Sequence, residues 1–334
     1  MIAEHNVILL DCTFRDGGYY TNWNFDEELV NIYSPAIVEA NVDIMEAGYI
    51  SIDATGCGRF KIQNVSDFNF LPVIPGKSWA AMIDSKALLC RDNWQDITRD
   101  ILKKPARPVI DVIRIASHFN QLEQVDRLCE IISSLGYRVV LNLMQIDLAS
   151  ESELATVFDK ISKINCAETV YLADSFGSMI PHRVTELITR LKKSTSANIG
   201  FHAHNNMGLA LVNSLTAIQA GANWIDATFA GMGRGAGNAA TEELSELLKK
   251  TGDETPAVDI LLNRHMNVLK TTYNWGGDVL YRRAGKKKIH PTYVQSLKDA
   301  DLPVERVYSL LEKIPESSRS TFNNTLLKAL IHES

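Results

Sequence analysis

Eight short apolar runs recur along the chain, and after most of them apolar residues return at helical spacing. That alternation is the pattern of a parallel sheet, because a parallel connection needs a helix to carry the chain back. Strands are expected at residues 7–11, 42–47, 79–83, 109–116, 138–144, 169–173, 198–202 and 224–228. Helices are expected at 26–40 with Asp26 as cap, near Trp94, and at 121–135, 151–164, 182–194, 208–220 and 241–250. A Gly-containing loop (54–59) and a helical stretch near 65–70 fall between the second and third strands. Eight such units in about 250 residues have the count and size of an α/β fold, the (β/α)8 TIM barrel. Gly252 to Pro256 break the repeat. The expected division is a catalytic barrel at 1–251 and a small helical C-terminal region at 252–334.

In such a barrel the active site lies at the C-terminal ends of the strands. Polar residues collect at those ends. They are Asp11, Arg15 and Asp16 after the first strand, Glu46 in the second, Arg114 and His118 after the fourth, and Gln145 and Asp147 after the fifth. Asp174 and Ser175 end the sixth, His202 and His204 the seventh, and a glycine-rich segment, Gly231 to Asn238, follows the eighth. On an extended strand, side chains at i and i+2 share a face, so His202 and His204 aim two imidazoles at one point. Paired imidazoles are good ligands for divalent metals, and Asp16 offers a third.

A net charge of -6 argues against a nucleic-acid partner. The one dense basic run, Arg282 to Lys288, reads equally as an anion grip and as a solvated loop. Five cysteines without a C-x-x-C pair, and no signal peptide, fit a reduced, cytoplasmic protein. No apolar run approaches the roughly 20 residues that span a bilayer, so no membrane association is expected. Cys12 has no histidine near it in sequence and reads as a packing residue.

Three motifs carry a resemblance. They are Asp11-x-Thr13-x-Arg15-Asp16-Gly17, His202-x-His204-Asn205-Asn206-x-Gly208, and Gly231-Met232-Gly233-x-Gly235-Ala236-Gly237-Asn238. Together they resemble the DRE-TIM metallolyases, the HMG-CoA lyase-like superfamily, and within it the 4-hydroxy-2-oxovalerate aldolase branch. Aldolase-like proteins of polysaccharide clusters carry similar tails. The resemblance implies that Asp16, His202 and His204 bind a divalent metal, with Asn238 as a fourth ligand. Mn or Mg is the expected ion, with Zn and Co as alternatives. Arg15 would steady an enolate oxygen, Ser175 would touch the substrate carboxylate, and Glu46 matches an acidic position of the lyases. Tyr281 loosely matches a tail tyrosine that reaches the aldolase active site, with packing on the barrel as the other reading.

Two positions depart from the aldolase pattern. Tyr19 stands where the aldolases carry a histidine taken as the catalytic base, and an ordinary tyrosine titrates near pH 10. It can still donate a proton or orient water. Arg234 replaces a small residue, and its planar fork suits a phosphate or carboxylate on an unusual aldehyde. The expected function is a metal-dependent aldolase that forms or cleaves a C–C bond through the enolate of a pyruvate-like 2-oxo acid, with an aldehyde acceptor. The alternatives are a Claisen-type synthase or lyase using an acyl-CoA, and a catalytically altered metal-binding barrel serving as a partner subunit. The expected partners are the small-molecule oxo acid and aldehyde, a second copy of the chain in a homo-oligomer (a dimer), and a partner enzyme.

Overall fold

The computed structural model describes residues 7–252, 254–300 and 302–332. Its barrel strands are β1 (Ile8–Asp11), β2 (Ile44–Ile50), β3 (Ser78–Asp84), β4 (Ile110–His118), β5 (Arg138–Met144), β6 (Thr169–Asp174), β7 (Asn198–Ala203) and β8 (Trp224–Ala227). Each pairs in parallel with its sequence neighbours, and β1 closes the cylinder by pairing with both β2 and β8. The (β/α)8 barrel expected from the pattern is therefore the fold.

Two apolar layers follow from strand alternation. Side chains of one parity form a plug inside the barrel: Leu10, Ile44, Ala80, Val112, Val140 and Trp224. Those of the other parity, such as Leu9, Ile113, Leu141 and Ile225, join the larger core under the helices. Along β4, Val112 belongs to the plug, so Arg114, two residues on, also points inward, and it is fully buried.

The expected helix at 26–40 is α-helical over Glu27–Glu39, and the Asp26 side chain accepts from Leu29 N–H (2.7 Å) as its cap. The helix expected from 121 starts only at Val125, because Gln124 takes a left-handed φ of 66°. Two features fall outside the periodicity. Strand β2 runs past residue 47 through Gly48 and pairs with a two-residue strand, Lys61–Ile62. Gly48 has φ 149°, and a Cβ there would lie 1.9 Å from the Phe60 carbonyl, so only glycine lets β2 extend to Tyr49. A short helix, Thr13–Thr21, also starts directly after β1. Two consecutive glycines, 17 and 18, masked it in the sequence.

After the barrel, Pro256–Leu261 packs on Glu27–Glu39, and Val258, Leu261, Met266 and Trp275 enter the barrel's outer core. The helices Val279–Lys286, Pro291–Asp299, Val304–Lys313 and Asn324–His332 close a second apolar cluster, which reaches the barrel at Ala236. No described helix is long and apolar enough to cross a membrane.

Candidate metal centre and active site

The site begins at the corner between β1 and the helix Thr13–Thr21. Asp11 accepts from Thr13 N–H (3.0 Å), the Tyr33 hydroxyl (2.7 Å) and the Thr241 hydroxyl (2.5 Å), which fixes the turn. The helix then presents Arg15 and Asp16 to the barrel mouth. Gly18 is required by close approach, since a Cβ there would lie 2.2 Å from the Trp23 ring.

Six buried side chains form a closed ring. Arg15 binds Asp16 through Nη1 and donates from Nε to Glu46 Oε2 (2.8 Å). Glu46 Oε2 also accepts from Arg114 Nη1 (2.9 Å), and Arg114 Nη2 donates to Asp226 Oδ2 (2.7 Å). Asp226 Oδ2 accepts from His202 Nδ1 (2.9 Å), and His202 Nε2 returns to within 3.3 Å of Asp16 Oδ2. None of the six exceeds 5 % exposure, so their charges interact with little screening by water. Burial opposes ionisation of Asp16, yet the Arg15 guanidinium holds its carboxyl far below the usual carboxylate range. Burial likewise opposes ionisation of Asp226, and Arg114 and His202 keep that carboxyl below its ordinary value.

The donor set fits a divalent cation. His204 Nδ1 donates to the Asp174 carbonyl (3.0 Å), and His202 Nδ1 donates to Asp226. Both rings therefore carry their proton on Nδ1 and leave a lone pair on Nε2. Both Nε2 atoms are buried without a hydrogen-bond partner, and so is Asn238 Oδ1. Burial, then the neighbouring His202, pushes the His204 pKa down to about 3, so the ring is neutral. Asp16, His202 and His204 each offer a ligand atom, all within 4.8 Å of one another. Unpaired buried acceptors cost stability, and a metal ion would satisfy them all. Cys12, His202 and Asp226 also lie within 4.8 Å, but there His202 Nδ1 and Asp226 already bond each other and burial pushes the Cys12 thiol up.

Asn238 donates from Nδ2 to Asp16 Oδ2 (2.8 Å). The glycine segment brings it there, because Asn238 N–H bonds the Gly231 carbonyl (3.0 Å) and Gly237 has φ 80°. A Cβ on Gly237 would sit 2.1 Å from that carbonyl.

A cavity of about 560 Å³ opens at the C-terminal ends of the strands, lined in part by Tyr19, Tyr49, Gln145, Ser175, Arg234 and His290; the candidate metal ligands are not among its lining residues. Ser175 Oγ accepts from Gln145 N–H (2.9 Å). Tyr19 is 40 % exposed and its hydroxyl lies 3.1 Å from that of Tyr49. The Arg234 guanidinium stacks on the Tyr19 ring, 4.4 Å from its centre, so the two departures from the aldolase pattern touch. Tyr281 stands apart from this group: it is buried in the tail cluster, its hydroxyl donates to Gln295 (2.8 Å), and it does not line the cavity. Glu46 is the link between Arg15 and Arg114, with no exposed surface. His118 bonds Asn120 and Gln145.

Sequence reasoning passed over Asp226 and the pairing of Arg114. The signal was available, since both are charged residues at inward parity in otherwise apolar strands. Tyr49 gave no signal, because its place depends on the Gly48 irregularity.

A family model described as HMGL-like matches residues 6–271. A 4-hydroxy-2-oxovalerate aldolase from Pelotomaculum thermopropionicum is 33% identical over 256 residues, 75% of this chain and 73% of the relative. The crystal structure of the N-terminal domain of a candidate aldolase from Bacteroides vulgatus superposes with a TM-score of 0.75 at 32% identity, covering 86% of this chain and 95% of that one. The carboxyl transferase domain of Rhizobium etli pyruvate carboxylase shares the fold, with a TM-score of 0.70 at 14% identity over 99% of this chain and 62% of that one. The chain belongs to the HMGL-like family.

Proposed function

We propose that the chain is a carbon–carbon lyase, a divalent-metal-dependent aldolase that works through the enolate of a pyruvate-like 2-oxo acid and an aldehyde. The observation that carries this reading is the pair of orphaned, buried Nε2 atoms beside the Asp16 carboxylate, with Arg15 locked next to them. Asp16, His202 and His204 would hold the metal, with Asn238 Oδ1 within the same pocket. When bound, such an ion supplies Lewis acidity toward a chelating oxo acid. The relatives named as 4-hydroxy-2-oxovalerate aldolases support the reaction class.

The chain's own residues supply the rest. Glu46 and Asp16 occupy Nε and Nη1 of Arg15, while Nη2 makes no hydrogen bond among the described residues. That amino group is a fixed donor for negative charge developing on the enolate oxygen, an effect worth about 3 kcal/mol where comparable donors have been removed. Ser175 faces the same cavity and offers its hydroxyl to a carboxylate. Tyr19 and Tyr49, hydroxyl to hydroxyl, form a relay that can pass a proton between the cavity and water.

Exchange of the methyl protons of pyruvate tests this, because enolisation needs no aldehyde. Protein with Mn in deuterated water is expected to exchange them faster than Mn alone, read by mass spectrometry, and His204→Ala to abolish the excess. Thiol release from acetyl-CoA in the presence of oxo acids, without exchange, would favour the acyl-CoA reading instead.

A further inference from the structure

In the cavity at the strand ends, two hydrogen-bond donors converge on one histidine. Thr292 N–H donates to His290 Nδ1 (3.3 Å). That ring is neutral, since burial and then Arg234 push its pKa down to about 3. Its other nitrogen, Nε2, lies 3.5 Å from Arg234 Nη1. A neutral ring has one acceptor nitrogen, so it can accept from Thr292 N–H or from Arg234 but not from both. Arg234 Nε is also buried without a partner.

Two carboxylates also line the cavity, but Asp53 pairs with Arg91 and Asp84 accepts from Lys86 N–H, which leaves the cations as the charges without a partner. The chain has 40 acidic residues, yet none forms an ion pair with Arg234 or Lys61 among the described residues. Both cations rest on aromatic rings instead. Arg234 lies on Tyr19, Lys61 Nζ lies 4.6 Å from the centre of the Trp23 ring, and the two rings meet edge to face at 4.9 Å. Both cations line the same cavity. Ring contacts leave the guanidinium fork free for a bidentate anion. The cavity, about 560 Å³, is in the range that encloses a drug-sized ligand and exceeds what a two-carbon aldehyde fills.

We propose that Arg234 and His290 form an anion-binding subsite, assisted by Lys61, and that the acceptor aldehyde carries a phosphate or carboxylate group. The assignment of the anion to the acceptor rests on the aldolase reading; the anion site does not. Arg234 is within electrostatic reach of Asp16 and His204 without pairing with Asp16, which links the subsite to the candidate metal centre.

Binding tests this without any turnover. Glycerol 3-phosphate, 4-hydroxybutyrate and glycerol are titrated into the full-length protein by calorimetry. At least one anion is expected to bind while glycerol does not, with Arg234→Met weakening that anion at least tenfold and Arg234→Lys less. Preference for glycerol 3-phosphate assigns a phosphorylated aldehyde, and preference for 4-hydroxybutyrate a carboxylated one. Circular dichroism melts establish that the variants fold. Glycerol binding as tightly as the anions would overturn the proposal. So would anion binding unchanged in folded Arg234→Met, which would place the anion on the metal. A third contrary result is Arg234→Met raising the pyruvate concentration for half-maximal exchange while sparing anion binding, because Arg234 would then serve the oxo acid. Failed proton exchange with intact anion binding would instead strike the aldolase reading alone.

Discussion

Replacing Asp226 by asparagine removes one charge from the six-membered ring and almost no volume. The wild-type ring carries three carboxylates, Asp16, Glu46 and Asp226, against two guanidiniums, Arg15 and Arg114, all at most 5 % exposed. In Asp226→Asn, Arg114 keeps only Glu46 as a charged partner. A full charge at about 4 Å with an effective dielectric near 20 interacts by about 4 kcal/mol. That agrees with the roughly 3–5 kcal/mol lost when one partner of a buried pair is removed. The metal-free variant should therefore unfold at lower urea, by an amount equivalent to about 3–4 kcal/mol. The second effect is on His202, whose Nδ1 loses a carboxylate acceptor at 2.9 Å. Losing such a partner behind a ligating histidine costs about 10–100-fold in metal affinity. Mn titration by calorimetry or electron paramagnetic resonance reads this separately from stability. A variant with wild-type Mn affinity and an unchanged urea midpoint would refute both the ring's electrostatic role and the orientation of His202 by Asp226.

Other expected outcomes follow from the same geometry. Arg15→Lys keeps a charge but not the fork that spans Glu46 and Asp16, so Mn content should hold while pyruvate exchange falls by about 10- to 1000-fold. Tyr19→Phe removes the hydroxyl facing Tyr49 and should slow exchange at least tenfold, on the order of a lost proton-transfer group, at unchanged Mn content; a wild-type rate would take Tyr19 out of proton transfer. Gly237→Ala drives a methyl into the Gly231 carbonyl, so Asn238 should leave Asp16 and the melting temperature should fall by several degrees, roughly what about 2 kcal/mol gives. Glu242, whose carboxylate accepts from Ala230 N–H, has its pKa raised to about 7 by burial. Its native form holds a proton that the unfolded chain releases near pH 4.5, so its contribution is full below 4.5 and is lost as pH rises toward 7. Glu242→Gln should remove that decline, worth on the order of 2–3 kcal/mol, in urea midpoints taken from pH 4.5 to 8.

The barrel was legible because its causes are local. Apolar runs of strand length alternate with helical periodicity, and closing eight such units buries both parities of each strand. The i, i+2 spacing of His202 and His204 by itself puts both imidazoles on one face at the end of their strand. Asp16 lay in a motif, although its helix was hidden by Gly17 and Gly18, whose missing side chains make room for Met232 and Trp23. Those neighbours come from elsewhere in the chain, so no local rule could announce that helix. The tertiary structure alone decided the partnerships. Glu46, Arg114 and Asp226 sit on three strands, and only barrel closure brings them into one ring with Arg15, Asp16 and His202. Arg234 and Tyr19 are 215 positions apart in the chain and stack because the glycine segment folds back over the helix after β1. Tyr281 shows the converse: the loose match of its motif left the active site and packing both open, and its hydroxyl bonds Gln295 within the tail cluster. Sequence periodicity sets which face a side chain occupies, whereas the distance between two faces depends on how the whole chain closes.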